Sequence, residues 1–193
     1  RLTKITCPPS NAAYTTLKAR VSKKTKGVKK DEKILRGVNM KRITLTAHDG
    51  KQIAVTEYAP SGYPKGMLQI VHGMVEHAGR YDFIGNYLAS QGYLVIMDDH
   101  RGHGFTDPDT LGFCEGDMWE DTIKDLAALS DYCHEAYPDL NLVIMGHSYG
   151  SFLTQRYIEL YPENVSGTIL GGTARMDGLQ VTAGQVVANI GWK

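Results

Sequence analysis

The chain has 193 residues, 42% of them apolar and 22% charged, with a formal net charge of zero. That is enough sequence to bury one sizeable core, and its balance excludes a protein that works throughout as a polycation or polyanion. No apolar run approaches the ~18 residues of a membrane span.

The charge is unevenly placed. Residues 1–42 hold 13 Lys and Arg against Asp31 and Glu32, a balance of +11, and the remainder carries −11. A basic stretch of this kind can serve as a nucleic-acid or membrane-surface tail. Its low hydrophobicity fits a solvated, disordered extension better, and no nucleic-acid partner is expected. Residues 1–39 are therefore read as a basic extension outside the native domain, because the first methionine, Met40, stands where strand-like alternation begins. Cys7, Cys114 and Cys133 are odd in number and lack C-x-x-C spacing, which predicts reduced thiols and a cytoplasmic protein.

From residue 40 the pattern is regular. "RITLTA" and "QIAVTEY" alternate around "HDGK", an Asp-Gly turn, and predict a hairpin. "GMLQIVHG" predicts a short apolar strand. In "GRYDFIGNYLASQG", Phe83, Ile84, Tyr87 and Leu88 recur at helical spacing and predict one buried face. "YLVIMDD" predicts a strand covered on both sides. "DMWEDTIKDLAALSDYCHEAYP" places Trp119, Ile123, Leu126, Cys133 and Tyr137 on one helical stripe. "LVIM" predicts another buried strand, followed by a helix marked by Phe152, Leu153, Tyr157 and Ile158, and "VSGTILGG" a last strand. Strands alternating with helices give an α/β fold: a mostly parallel sheet with helices on both faces. Its sites belong at the carboxyl ends of strands.

Two strand ends carry the chemistry. Gly146-His147-Ser148-Tyr149-Gly150 follows "LVIM" and precedes a helix. A G-x-S-x-G sequence in that context holds its serine on a strained turn above the sheet, with small residues two before and two after so that strand and helix can close together. The following helix start adds positive potential and free N–H groups. An oxyanion hole needs two converging amides: Tyr149 N–H supplies one, and Met74 N–H, in the loop His72-Gly73-Met74-Val75-Glu76-His77, is the natural second. A further loop, Asp98-Asp99-His100-Arg101-Gly102-His103-Gly104, ends the next strand. With His72 and His77 it gathers four imidazoles, but no H-E-x-x-H or Cys/His metal spacing is present. These histidines are expected to brace the site floor, with no metal and no cofactor.

Together, "IVHGMVEHAGRYDFIGNYLASQGYLVIMDDHRGHG" and "GHSYGSFLTQRYI" resemble the α/β-hydrolases of the monoacylglycerol lipase and lysophospholipase group, often labelled serine aminopeptidase-like. The resemblance covers about residues 40–193. It implies a serine hydrolase of acyl esters that forms an acyl-enzyme on Ser148, with Met74 and Tyr149 as oxyanion donors and His72, Gly73, Gly146, His147 and Gly150 as supporting motif residues. Tyr149 stands where many relatives have methionine, and Ser151 where many have glycine. The implied partner is a small acyl-ester substrate, with a transient membrane-surface contact through a lid and no obligate protein partner.

In this fold the chain order is Ser, then Asp or Glu, then His, yet no histidine follows Ser148 in the 193 residues. The expectation is a C-terminally incomplete hydrolase: residues 40–172 the N-terminal part of the core, truncated after about the sixth strand, and residues 173–193 the start of the lid. Val186, Val187 and Ile190 share one helical face there, a lid or an ordinary packing helix. An aminopeptidase-like hydrolase of small amides or esters, and a non-catalytic binding module that keeps the pocket, are the alternative readings.

Overall fold

The computed structural model describes residues 38–174. The basic segment through residue 37 and the stretch after Ala174, with Val186, Val187 and Ile190, lie outside the described residues.

The chain begins with a hairpin. Strand β1 (Val38–Thr46) pairs antiparallel with β2 (Gln52–Pro60) in a register running from Thr46 opposite Gln52 to Val38 opposite Pro60. The turn sits where Asp49-Gly50 predicted it, and β1 starts two residues ahead of Met40. Strand β3 (Met67–Val71) and β4 (Leu94–Asp98) are buried at every position, as an apolar run between two layers requires. Between them, a 3-10 turn (Ala78–Tyr81) leads into helix α1 (Asp82–Ser90). Helix α2 (Met118–Ala136) starts where the Asp117 carboxylate accepts the Trp119 and Glu120 amides. Strand β5 (Leu142–His147), helix α3 (Tyr149–Leu160) and strand β6 (Gly167–Gly171) complete the described part.

The six strands form one sheet in the order β1-β2-β4-β3-β5-β6. β2 meets β4 antiparallel, whereas β4, β3, β5 and β6 run parallel. From β3 the chain steps outward to β4 on one side and then to β5 on the other. The strand order therefore reverses between β3 and β5, and the crevice at their carboxyl ends is the fold's natural site.

Helices cover both faces. Tyr81, Ile84, Leu88 and Ala89 pack on Leu68, Ile70, Val95 and Met97, which puts α1 on one face. On the other, Ile123, Leu126 and Leu129 of α2 and Leu153 and Tyr157 of α3 pack on Val71, Leu94, Ile96, Leu142 and Ile144.

Two expectations need correction. Phe83 and Tyr87 do not join the buried face of α1: they are 73% and 46% exposed and stack on each other. Gly85 takes the inward position instead, where a Cβ would stand 2.6 Å from the Tyr58 ring, so this helix is buried through its smallest residue. Strand β5 is not buried throughout either. Leu142, Ile144 and Gly146 are buried, whereas Val143 and Met145 on the α1 side are half-covered. That face has a single described helix, and α1 packs on β2 and β4 rather than β5.

Candidate active site

Ser148 lies between β5 and α3 with φ 52° and ψ −119°. This left-handed conformation, natural to glycine at the first corner of a type II′ turn, costs a residue with a Cβ on the order of 1–3 kcal/mol. The surroundings enforce it. The Ser148 amide donates to Gly171 O at 2.8 Å, and Ser148 O accepts both the Ser151 amide (2.8 Å) and the Ser151 hydroxyl (2.6 Å). The serine at 151 thus helps fasten the turn.

Gly146 and Gly150 close it. A Cβ on Gly146 would meet Gly150 O and the Thr154 hydroxyl, both at 2.4 Å. One on Gly150 would meet Val71 O at 2.1 Å and His72 O at 2.5 Å. These neighbours are mostly backbone and cannot move aside cheaply. The second contact also joins the turn to the end of β3, so the loop carrying Met74 starts directly beside Ser148. Tyr149 heads α3 and leans its ring edge-on against Trp119, 5.9 Å between centroids.

The loop after β3 is tightly held. The Gly73 amide donates to Glu76 Oε2 at 3.0 Å, and the Glu76 amide to Gly73 O at 3.3 Å. Glu76 also accepts from the Tyr81 hydroxyl at 2.7 Å and pairs with Arg80 at 3.1 Å. Burial opposes the Glu76 carboxylate, yet the Tyr81 hydroxyl, the Gly73 amide and Arg80 outweigh it and hold its pKa below the ordinary range. His147 turns its Nδ1 toward the same carboxylate at 3.6 Å, too far for a hydrogen bond.

His72, His100 and His103 form a stacked, buried group. His72 Nδ1 donates to Gly73 O (2.8 Å) and its Nε2 accepts the His100 amide (3.0 Å), which fixes a neutral tautomer. Burial, and then the positive His100 beside it, push the His72 pKa far down. His100 faces two acceptors, Asp98 Oδ2 at 2.6 Å and His72 O at 3.2 Å, so both its nitrogens carry hydrogens. Burial opposes that charge, but the Asp98 carboxylate prevails and raises the His100 pKa. His103 Nδ1 lies 2.9 Å from Arg101 O, and its Nε2 accepts the Val75 amide at 3.2 Å. Every ring nitrogen in this group is engaged by the protein. His77 stands beside it, half-buried at the edge of a crevice of about 460 Å³ also lined by Val75, Phe105, Pro108 and Leu111. No elbow residue lines that crevice.

Several supports lay outside the sequence reading. Asp99 ties the two loops together by accepting the Ala78 and Phe105 amides, each at 2.7 Å. Arg101, 1% exposed, is gripped by Asp125 of α2 and by Asp49 of the hairpin turn. Asp49 also lies near His48 and Asp121, the one grouping of potential metal ligands among the described residues. Arg101 and Lys124 already face its carboxylates. Among the described residues no helix is long and apolar enough to cross a membrane.

A mixed sheet with α1 on one face, α2 and α3 on the other, and a strained serine at the β5–α3 corner defines an α/β-hydrolase. Residues 62–191 match the serine aminopeptidase family S33, and the chain belongs to that family. It is 30% identical over 122 residues to the monoglyceride lipase of Mus musculus, covering 63% of this chain and 39% of that protein. It is also 30% identical over 125 residues to the monoacylglycerol lipase of Mycolicibacterium smegmatis, covering 65% and 44%. A thermostable carboxyl esterase from Bacillus coagulans, solved in complex with glycerol, superposes with a TM-score of 0.68 at 30% identity, over 79% of this chain and 50% of that one. The chain thus spans about two-fifths of the length of the curated relatives it matches.

Proposed function

We propose that the chain is part of an ester hydrolase that acts through an acyl-enzyme on Ser148, with monoacylglycerol-type acyl esters as substrates. The carrying observation is the Ser148 backbone, φ 52° and ψ −119°, at a strand-to-helix corner sealed by two glycines that tolerate no Cβ. A fold accepts such strain in an exposed serine where the hydroxyl is needed. In this reading Ser148 Oγ passes its proton to a base outside the described residues and attacks the ester carbonyl. The ester C–O bond then breaks to release the alcohol, which takes that proton. The Tyr149 and Met74 amides receive the developing oxyanion. Neither amide donates to another described group, which leaves both available. His72, Gly73, Gly146, His147 and Gly150 shape the two loops. The lipase and esterase relatives support the substrate class. The free thiols of Cys114 and Cys133 support a cytoplasmic setting.

The family's description as a serine aminopeptidase favours a second reading, hydrolysis of small aminoacyl amides. One panel separates the two: a longer polypeptide that carries a later acid and histidine, offered monoacylglycerols, short activated esters and aminoacyl anilides. Ester turnover abolished by Ser148→Ala supports the first reading. Turnover confined to the anilides would replace it with the second, and binding without turnover of any substrate would favour a non-catalytic module.

A further inference from the structure

Val75 is a β-branched residue at φ 59°, and its side chain is 88% exposed. Nothing packs on that side chain to compensate for a backbone conformation that disfavours a Cβ. What holds the residue is its amide, which donates to His103 Nε2 at 3.2 Å. The acceptor is itself fixed. His103 is 7% exposed, and its Nδ1–H donates to Arg101 O at 2.9 Å, so the lone pair sits on Nε2 and faces the loop. Arg101 is anchored in turn by Asp125 and Asp49, and the His103 ring lies edge-on to His72 at 5.2 Å. The other end of the loop is held from within, by Gly73 N–H on Glu76 Oε2 and Glu76 N–H on Gly73 O.

The amides on either side of Met74 are therefore spent on fixed acceptors, while the Met74 amide has no acceptor among the described residues. We infer that His103 is a positioning residue which, by accepting the Val75 amide, holds the loop so that the Met74 N–H points outward to receive a substrate oxyanion. This rests on the serine-hydrolase reading for its purpose, but the latch itself is a property of the described chain. His103 touches no reacting atom: it acts through the peptide between Met74 and Val75. A ring nitrogen suits the task because its tautomer is set on the far side, by Arg101 O, and cannot rotate away as a hydroxyl would.

The test uses the 193-residue protein labelled with 15N. A through-hydrogen-bond 15N–15N coupling between the Val75 amide and His103 Nε2 is expected, with the proton of His103 on Nδ1. His103→Leu should abolish the coupling and shift the Met74 amide resonance. It should also slow labelling of Ser148 by a fluorophosphonate roughly tenfold to a hundredfold, short of the roughly 10²–10³ for deleting an oxyanion donor outright. His103→Gln, whose carbonyl can accept the same amide, should restore most of the Met74 resonance position and of the labelling rate, which a purely structural loss would not, though not the 15N–15N coupling. Absence of the coupling in the wild type would overturn the inference, as would a His103→Leu chain whose Met74 resonance and labelling rate are unchanged. A wild-type chain that takes no label reflects the histidine that does not follow Ser148 in the 193 residues, and the Met74 resonance then decides the latch. The serine reading falls separately, if a longer polypeptide carrying a later histidine takes no label either.

Discussion

Arg101 and Asp125 meet fork to fork, Nε to Oδ2 at 2.7 Å and Nη2 to Oδ1 at 2.9 Å, with 1% and 2% of their side chains exposed. Two parallel charge-assisted bonds in the interior make a rigid joint between the loop after β4 and helix α2. Asp49 brings the hairpin turn to the same guanidinium, but its side chain is 38% exposed. Arg101→Leu is expected to destabilise the fold by about 3–5 kcal/mol, because it strands a buried carboxylate. Asp49→Asn should cost under about 1 kcal/mol, as solvent-facing pairs do. Urea titrations of both variants test the ranking, and equal losses would show that burial does not govern this joint.

The left-handed backbone at Ser148 makes a prediction about glycine. Ser148→Gly relieves the conformation that Ser148→Ala retains, and the exposed hydroxyl has no described partner to lose. The glycine variant should therefore melt above the alanine variant, by about 1 kcal/mol once the greater freedom of glycine in the unfolded chain is deducted. Identical melting of the two would mean that the corner relaxes in solution.

Gly150→Ala should act in the opposite sense. Its Cβ would stand 2.1 Å from Val71 O, a backbone atom of the central strand, so β3 and α3 must separate. A loss of about 1–3 kcal/mol is expected, the usual cost of overfilling a packed joint. Gly62→Ala is the control, since nothing lies within 4 Å of the added carbon. A silent Gly150→Ala would remove the steric argument for this elbow.

The fold's stability should also follow the charge on His100. Asp98 raises its pKa above the ordinary value of 6.5. A raised folded-state pKa means that the charged pair contributes fully below pH 6.5, and that the contribution disappears as pH rises through the raised value. Thermal midpoints should accordingly fall across that interval in the wild type, and this component should vanish in His100→Gln. An unchanged pH profile in the variant would assign the dependence to other groups.

The sheet was legible because its strands are short apolar runs bounded by glycine and turn residues, and the elbow because G-x-S-x-G has a meaning only at a strand-to-helix corner. The buried face of α1 was misread for a physical reason: Phe83 and Tyr87 share spacing with Ile84 and Leu88, and periodicity cannot reveal that the Tyr58 ring occupies the space that only Gly85 leaves free. The partners of the site loops were beyond reach as well. Asp49, Asp125 and Arg101 are far apart in sequence, and nothing local signals that a hairpin turn and a helix converge on the guanidinium of a third segment. Glu76 stood three residues from Gly73, close enough to suggest an amide-to-carboxylate bond, but its tie to Tyr81 needed the fold.

Ser148 needs an imidazole, none follows it in the 193 residues, and its hydroxyl has no partner among those described. His72 cannot serve: both its nitrogens are occupied, and burial with the neighbouring His100 charge keeps it from accepting a proton. His147 adjoins the serine in sequence but turns its Nδ1 toward Glu76 at 3.6 Å. A polypeptide of these 193 residues should therefore retain only the roughly 10³–10⁴-fold acceleration over water that binding and an oxyanion hole supply without a complete triad. Hydrolysis of an activated short-chain ester measures it directly, with Ser148→Ala and His147→Ala alongside. Slow turnover that His147→Ala leaves untouched is the expected result. Rapid turnover lost in both variants would make His147 the base, with Glu76 as the carboxylate that orients it.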